Sequence, residues 1–227
     1  MKILSIIVAR SGSKGIKNKN MVKINDKPLI FYSLKILKNI KKLTYPFVST
    51  DSTKIISYCN KFGFNEGYIR PKKLSKDKSK IIDVIMDALK WIDKNKKKSF
   101  DAVALLQPTS PLRNNKEIIK AINLFKKKNY DSLVMASKMY QHPYECLELK
   151  KNNWNYLRKP KKQSLRRQNY KQNFYFIDGS FYIAKISFLK KYRSFIRENN
   201  TVILKSKNKI NIDIDDNLDL KLIKNLI

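Results

Sequence analysis

Residues Ile3–Asn20 read ILSIIVARSGSKGIKNKN. Ile3, Leu4, Ile6, Ile7 and Val8 form an aliphatic run with almost no polar alternation. That is the pattern of a strand covered on both faces, as in the central parallel strand of an α/β sheet. The loop that follows stands at the strand's carboxyl end, the edge where open α/β sheets bind ligands. It carries Arg10, Ser13, Lys14, Lys17, Lys19 and Asn20 beside Gly12 and Gly15. Glycines let the backbone approach a phosphate, and the cations neutralise it. Neither G-x-G-x-x-G nor the Walker spacing is present. Taken alone, the stretch fits a phosphate cradle and a basic surface turn equally well.

Working outward, Pro28 opens a helical pattern with Leu29, Ile30, Leu34, Leu37 and Ile40 on one face. A short strand is expected over Tyr45–Ser49, then Thr50-Asp51-Ser52 as cap chemistry for a helix through Tyr58 to Phe62, ended by Gly63. A short strand is expected near Tyr68 and Ile69, and a helix from about Ser79 to Lys94 with Ile82, Ile85, Leu89 and Ile92 inward. The strand Asp101–Leu106 runs into Gln107-Pro108-Thr109-Ser110-Pro111-Leu112-Arg113, whose two prolines make a rigid platform. Asn114 or Asn115 caps a helix over Glu117–Lys128, and Asp131–Ala136 is a fifth strand. The alternation predicts an α/β fold with a mostly parallel central sheet flanked by helices.

From about Ser137 to Ile177 the periodicity dissolves, yet Tyr140, Tyr144, Trp154, Tyr156 and Tyr170 make the segment too aromatic for a disordered tail. Regular structure resumes with Asp178–Ile183, a helix from about Ser187, a strand near Thr201–Lys205, the acidic stretch Asn211–Asp216 and a final helix through Leu218, Leu222 and Leu226. His142 is the single histidine; set before a proline in the aperiodic stretch, it reads as a loop or interface residue.

At 227 residues and 42% hydrophobic content the chain can bury one substantial core. A formal net charge of +32 attracts polyanions. Of the 50 cations eight are arginine and 42 lysine, spread over exposed positions. This reads as compositional bias, so no specific nucleic-acid partner is expected. A basic nucleic-acid-binding protein is the rival from another class, and it would need lysines clustered on one face. Cys59 and Cys146 lack a CxxC or Cys/His companion and read as reduced, inert thiols. No apolar run reaches the length of a membrane span, and the aliphatic start leads straight into the basic loop, so the expectation is a cytoplasmic protein.

Asp213 and Asp215 lie two apart in an extended segment, so both carboxylates should face the same way. Paired hard oxygens suit Mg²⁺, which fills its shell with water and phosphate oxygens. The competing reading is a helix cap supplied by Asp215 or Asp216.

These residues carry a resemblance. Ala9-Arg10 through Gly12-Ser13-Lys14-Gly15 to Lys19-Asn20, Ser49-Thr50-Asp51, Arg70-Pro71, Gln107–Arg113, Asp178-Gly179 to Tyr182-Ile183, and Ile212–Asp215 with Leu218-Asp219-Leu220 resemble, in order and spacing, the CMP-sialic acid synthetase (N-acylneuraminate cytidylyltransferase) family. The likeness spans nearly the full length, with the Gln107–Arg113 block the most specific. It implies a Rossmann-like nucleotidyltransferase core (1–136 and 179–227) with an inserted dimerisation and substrate-capping lobe (137–178), acting as a homodimer. It implies transfer of CMP from CTP to the anomeric hydroxyl of a nonulosonic acid, with Mg²⁺ as cofactor and pyrophosphate released. By the same resemblance Arg10, Ser13, Lys14, Lys19, Asn20 and Arg70 bind CTP, with Arg10, Lys19, Asp213 and Asp215 catalytic. Asp213 and Asp215 hold the metal, while Gln107, Tyr182 and Arg167 (or its neighbour Arg166) face the sugar. A related enzyme activating another sugar or a sugar 1-phosphate is the alternative. The chain departs from the family pattern at Lys78–Ile81, at Tyr144-Glu145 after His142-Pro143, in the spacing from Arg167 to Gly179, and at Asp178 in place of a common asparagine. Most of these sites concern the sugar, which the resemblance leaves open.

Overall fold

The computed structural model describes residues 1–13, 15–64, 67–151, 153–159, 170, 172–208 and 210–227. Strand β1 (Ile3–Val8) is enclosed on both faces: Ile3 and Ile7 join one apolar layer, Leu4 and Ile6 the other. Each fully buried aliphatic side chain contributes about 1.5–3 kcal/mol. Four of them in β1 outweigh the buried Ser5 hydroxyl, which has no partner and costs about 1–3 kcal/mol.

The chain continues through the short hairpin β2 (Lys23–Ile24) and β3 (Lys27–Pro28), α1 (Leu29–Asn39), β4 (Tyr45–Ser49), α2 (Thr53–Asn60), α3 (Ile81–Lys96), β5 (Ala102–Leu106), α4 (Asn115–Lys127) and β6 (Ser132–Lys138). The hairpin β7 (Leu147–Lys150) and β8 (Asn153–Tyr156) precedes β9 (Tyr175–Lys185), α5 (Ile186–Tyr192), β10 (Val202–Lys205) and α6 (Asn217–Lys224). Six strands form one sheet in the order β10-β6-β9-β5-β1-β4. All are parallel except β9, which runs antiparallel between β5 and β6. The parallel strands therefore end on one edge, where Arg10, Thr50-Asp51 and Gln107 emerge. One face packs on α1 and α4, where Ile30, Leu34, Ile118 and Phe125 are buried; the other packs on α3 and α5 through Ile85, Ile92 and Phe188. Among the described residues no helix is long and apolar enough to cross a membrane.

The caps follow local chemistry. The Ser52 side chain accepts from the Ile55 N–H, Asn114 from Lys116, and Asp216 from Leu218 and Asp219, with the Asp219 carboxylate completing a capping box. Pro28 sits at the cap position of α1 with extended backbone, one residue before the helix.

Several expectations are corrected. No strand forms at Tyr68 and Ile69. Tyr68 turns inward against Phe47 and Trp91 with its hydroxyl on Asp87, Ile69 is exposed, and a single backbone bond from Arg70 N to Thr50 O precedes Pro71, which has no N–H to extend a ladder. The sheet reaches past both ends expected of the aperiodic segment, to Lys138 on β6 and Tyr175 on β9. Strand β9 is not regular over Asp178–Ile183: Val134 pairs with Tyr182 but Ala136 with Ile177, so Asp178–Phe181 bulge out of the ladder, with Gly179 at φ +71°. The acidic segment is not a strand; it lies outside the sheet and is pinned by Ile214, whose N–H reaches Thr109 O. In α6 it is Ile223 that is buried, while Leu218 and Leu222, and Leu226 beyond the helix, are exposed.

Candidate active site

The opening loop and the acidic segment meet. Ile16, Ile24, Leu29, Ile214 and Ile223 form a small apolar cluster that seats the loop against α6. Gly15 packs so closely on the Asp215 carbonyl oxygen that a Cβ there would lie 2.3 Å from it. Lys19 crosses the junction, its Nζ donating to Ile214 O (2.6 Å) and Asp215 Oδ1 (3.0 Å). Asn20 is buried, and its side-chain amide donates to Arg10 O (3.0 Å), which fixes the bend of the loop.

These residues border a cleft of about 470 Å³ beyond the ends of β1 and β5, lined by Arg10, Ser13, Lys19, Asn20, Arg70, Asp77, Gln107, Thr109 and Asp215. Leu74, Ile81 and Val84 add an apolar wall. A cleft lined by both cations and apolar side chains suits a nucleotide. Arg10 pairs with Asp77 across the opening. Arg70 is 3% exposed, held by donation to the Ser49 hydroxyl (3.0 Å) and the Ser49 carbonyl. Asp51 accepts from the Ser11 N–H (2.8 Å) and hydroxyl (2.7 Å), tying β4 to the loop. Burial pushes the Asp51 carboxyl up, but the Ser11 donors and the Arg70 charge bring it below the usual range.

The far end of the cleft is built on the bulge. A Cβ at Gly179 would lie 3.0 Å from both Gln107 Oε1 and Ser110 Oγ, and 3.4 Å from Asp213 Oδ2, so three polar side chains converge over this glycine. Burial among these groups raises the Asp213 carboxyl above its ordinary value, and the Asp215 charge raises it further; a hydrogen bond from Thr109 and the charges of Lys19 and Arg113 oppose the shift. The two carboxylates thus interact, and Asp216 is the residue spent on the helix cap.

Arg10, Ser13, Lys19, Asn20, Arg70, Gln107 and Asp215 line one cleft, with Asp213 beside Gln107. Tyr182 does not line it. Its ring packs on Phe195 (5.6 Å), and burial, then Asp213 and Asp178, push its hydroxyl up to about 12. Lys14, Arg166 and Arg167 lie outside the described residues. His142 is away from the cleft, in an aromatic group with Tyr144, Tyr170 and Phe174.

Sequence reasoning gave no role in the site to Asp51, Asp77, Thr109 and Ser110, and met Asp178 only as a departure from the family pattern. Asp51, Thr109, Ser110 and Asp178 stand inside the matching blocks, so their position was visible but their partners were not. It also missed Arg113, which donates to Gln107 O, Ser180 O and Ser33 Oγ (2.9 Å).

A mostly parallel sheet whose carboxyl edge joins a basic glycine loop to paired aspartates defines a nucleotidyltransferase. More particularly, the chain belongs to the cytidylyltransferase family, whose profile matches residues 4–222. It is 33% identical over 227 residues to the post-translational flagellin modification protein B of Campylobacter coli, covering 100% of this chain and 95% of that one. It is 30% identical over 227 residues to the CMP-N,N'-diacetyllegionaminic acid synthase of Legionella pneumophila, covering 100% and 97%. The fold is shared with a CMP:2-keto-3-deoxy-manno-octonic acid synthetase solved with CTP, at a TM-score of 0.69 and 14% identity over 100% of this chain and 98% of that one.

Proposed function

We propose that this protein transfers CMP from CTP to the anomeric hydroxyl of a nonulosonic acid, releasing pyrophosphate, for modification of a surface glycan. The observation that carries the reading is the junction of Gly15 and Lys19 with Ile214 and Asp215, which brings the basic glycine loop against the acidic segment. The synthase from Legionella supports the sugar class, and the flagellin modification protein from Campylobacter supports the destination.

The attacking hydroxyl and the leaving pyrophosphate must lie in line about the α-phosphorus, so the protein's task is positioning and neutralisation. Arg10, Ser13, Lys19 and Asn20 take the triphosphate, Arg70 the cytidine side, and Gln107 a sugar hydroxyl or carboxylate. Arg10 exchanges Asp77 for phosphate when CTP enters. The apolar wall of Leu74, Ile81 and Val84 excludes water from the nucleotide.

The donors Asp213 and Asp215 fit Mg²⁺. They are hard oxygens, and a carboxyl raised by burial and, further, by the Asp215 charge is one whose negative form a dication would favour. When bound, Mg²⁺ would draw charge from the phosphate oxygens and acidify the attacking hydroxyl.

The segment between β6 and β9 serves as an inserted lobe for pairing with a second copy. The nucleic-acid rival is disfavoured by the spread of charge: exposed lysines occupy α1 (Lys35, Lys38) and α4 (Lys120, Lys127) on one layer and α3 (Lys90, Lys94) on the other.

The test is pyrophosphate release by the purified protein with CTP, Mg²⁺ and a panel of nonulosonic acids, against UTP and sugar 1-phosphates. Turnover is expected with CTP and at least one nonulosonic acid. Turnover with sugar 1-phosphates alone would replace this reading by the other nucleotidyltransferase class.

A further inference from the structure

We propose that Arg113 is a positioning residue of the transfer reaction, holding Gln107 and the Gly179 bulge at the spacing that the sugar side of the site requires. This rests on the functional reading above.

Arg113 is absent from the cleft lining, yet its guanidinium joins three elements that build it. It donates to Gln107 O at the end of β5, to Ser180 O in the β9 bulge, and to Ser33 Oγ (2.9 Å) on α1. The two carbonyls belong to the backbone segments whose separation decides how Gln107, Ser110 and Asp213 converge. All three approach the single Cβ position of Gly179 at 3.0–3.4 Å, so a shift of β9 against β5 by a fraction of an ångström closes or opens the group. The β5–β9 register ends at Leu105 opposite Tyr182, and beyond it the planar fork of arginine joins the Gln107 carbonyl after β5 to the Ser180 carbonyl of β9.

Charge supports the same role. Asp178 is 2% exposed, and the hydrogen bonds to its side chain come from neutral donors: the Ser137 hydroxyl (2.6 Å), the Ser180 N–H (3.0 Å) and the Ser180 hydroxyl (2.5 Å). The Arg113 charge acts on both Asp178 and Asp213. A buried carboxylate without a cation is strongly unfavourable, so Arg113 lets Asp178 anchor the bulge through its serine donors. Lysine keeps the charge but cannot hold two carbonyls and a hydroxyl in one plane.

Behind Arg113 lies a second hollow of about 550 Å³ between α1 and the start of α4, bordered by Tyr32, Asn39 and Asn208. Arg113 forms part of its wall, so truncation would leave a void reachable from that side by a small cation.

The experiment compares wild type, Arg113→Lys and Arg113→Ala. It measures CTP affinity by calorimetry, KM for CTP and for the sugar acid, kcat, and activity with added guanidinium or methylguanidinium. A misplacement near 1 Å costs about 100-fold, so kcat/KM for the sugar acid should fall roughly 100-fold in Arg113→Lys while CTP affinity stays within about twofold. Guanidinium should restore part of the activity of Arg113→Ala and leave Arg113→Lys unchanged. Equal losses for CTP and sugar without rescue would overturn the assignment and leave a structural brace. Unchanged kinetics in Arg113→Lys would overturn it too. Absence of wild-type turnover with every sugar would remove the functional reading and this inference with it, an outcome distinct from turnover by a wild type whose variants behave alike.

Discussion

Asp213 carries a charge that its surroundings disfavour. Its raised carboxyl means that the folded state binds the proton more tightly than the unfolded chain, where a value near 3.9 applies. Stability attributable to this group is therefore fully present at acid pH and is lost as pH rises through the raised value. Asp213→Asn should melt at or above the wild-type temperature at neutral pH, with the gain vanishing near pH 3, while turnover falls at least about 100-fold, the cost typical of removing one transition-state stabiliser. Asp215→Asn should lose turnover similarly but shift melting little, because Asp215 is 79% exposed and exposed ion pairs contribute about 0–1 kcal/mol. Thermal melts at both pH values and pyrophosphate assays check this. Full activity in both variants would show that the metal assignment is wrong. At this scale the sequence was informative about chemistry and silent about partners. A pair of aspartates two apart with a cap residue behind them was legible, whereas Arg113 bonds two carbonyls and a hydroxyl of which Ser180 and Ser33 are 67 and 80 residues away, contacts that no local pattern encodes.

Among the elements, the hairpin β7–β8 makes the clearest demand. Leu147 lies opposite Tyr156 and Leu149 opposite Trp154, which puts four large apolar side chains on one face. All are exposed, Leu149 by 79%. A two-stranded hairpin is marginal on its own in water, and a face of this kind marks an interaction site; a second copy covering it accords with the inserted lobe proposed above. Leu149→Lys combined with Trp154→Lys should shift sedimentation from dimer to monomer while the melting of the sheet core is retained. A wild type that sediments as a monomer would refute the assignment. Elements with one strong period were legible: β1 for its unbroken aliphatics, α3 for Ile82, Ile85 and Ile92, which are all buried. The β9 bulge was not, because it depends on the register of β6, more than 40 residues earlier. The strand expected at Tyr68 failed because the inward pull on one aromatic side chain outweighed the β-propensity of the pair.

For the whole molecule, the account turns on the meeting of two stretches some 200 residues apart on the carboxyl edge of one sheet. The placement of the opening loop could be read from the sequence, since parallel strands end on one edge, whereas the acidic segment, which is no strand, was carried there only by the resemblance. The contact that seals it, Gly15 against the Asp215 carbonyl, could not, because it depends on Ile16 and Ile214 sharing a small apolar cluster away from the main core. If that junction is a catalytic site, the α-phosphorus of CTP must become bonded to a sugar oxygen. The most direct measurement is phosphorus NMR of CTP, Mg²⁺ and each nonulosonic acid incubated with the protein. With at least one acid of the panel the CTP resonances should give way to one phosphodiester resonance and pyrophosphate in equal amounts. CTP persisting with every acid, or breaking down to free CMP without a sugar adduct, would contradict it.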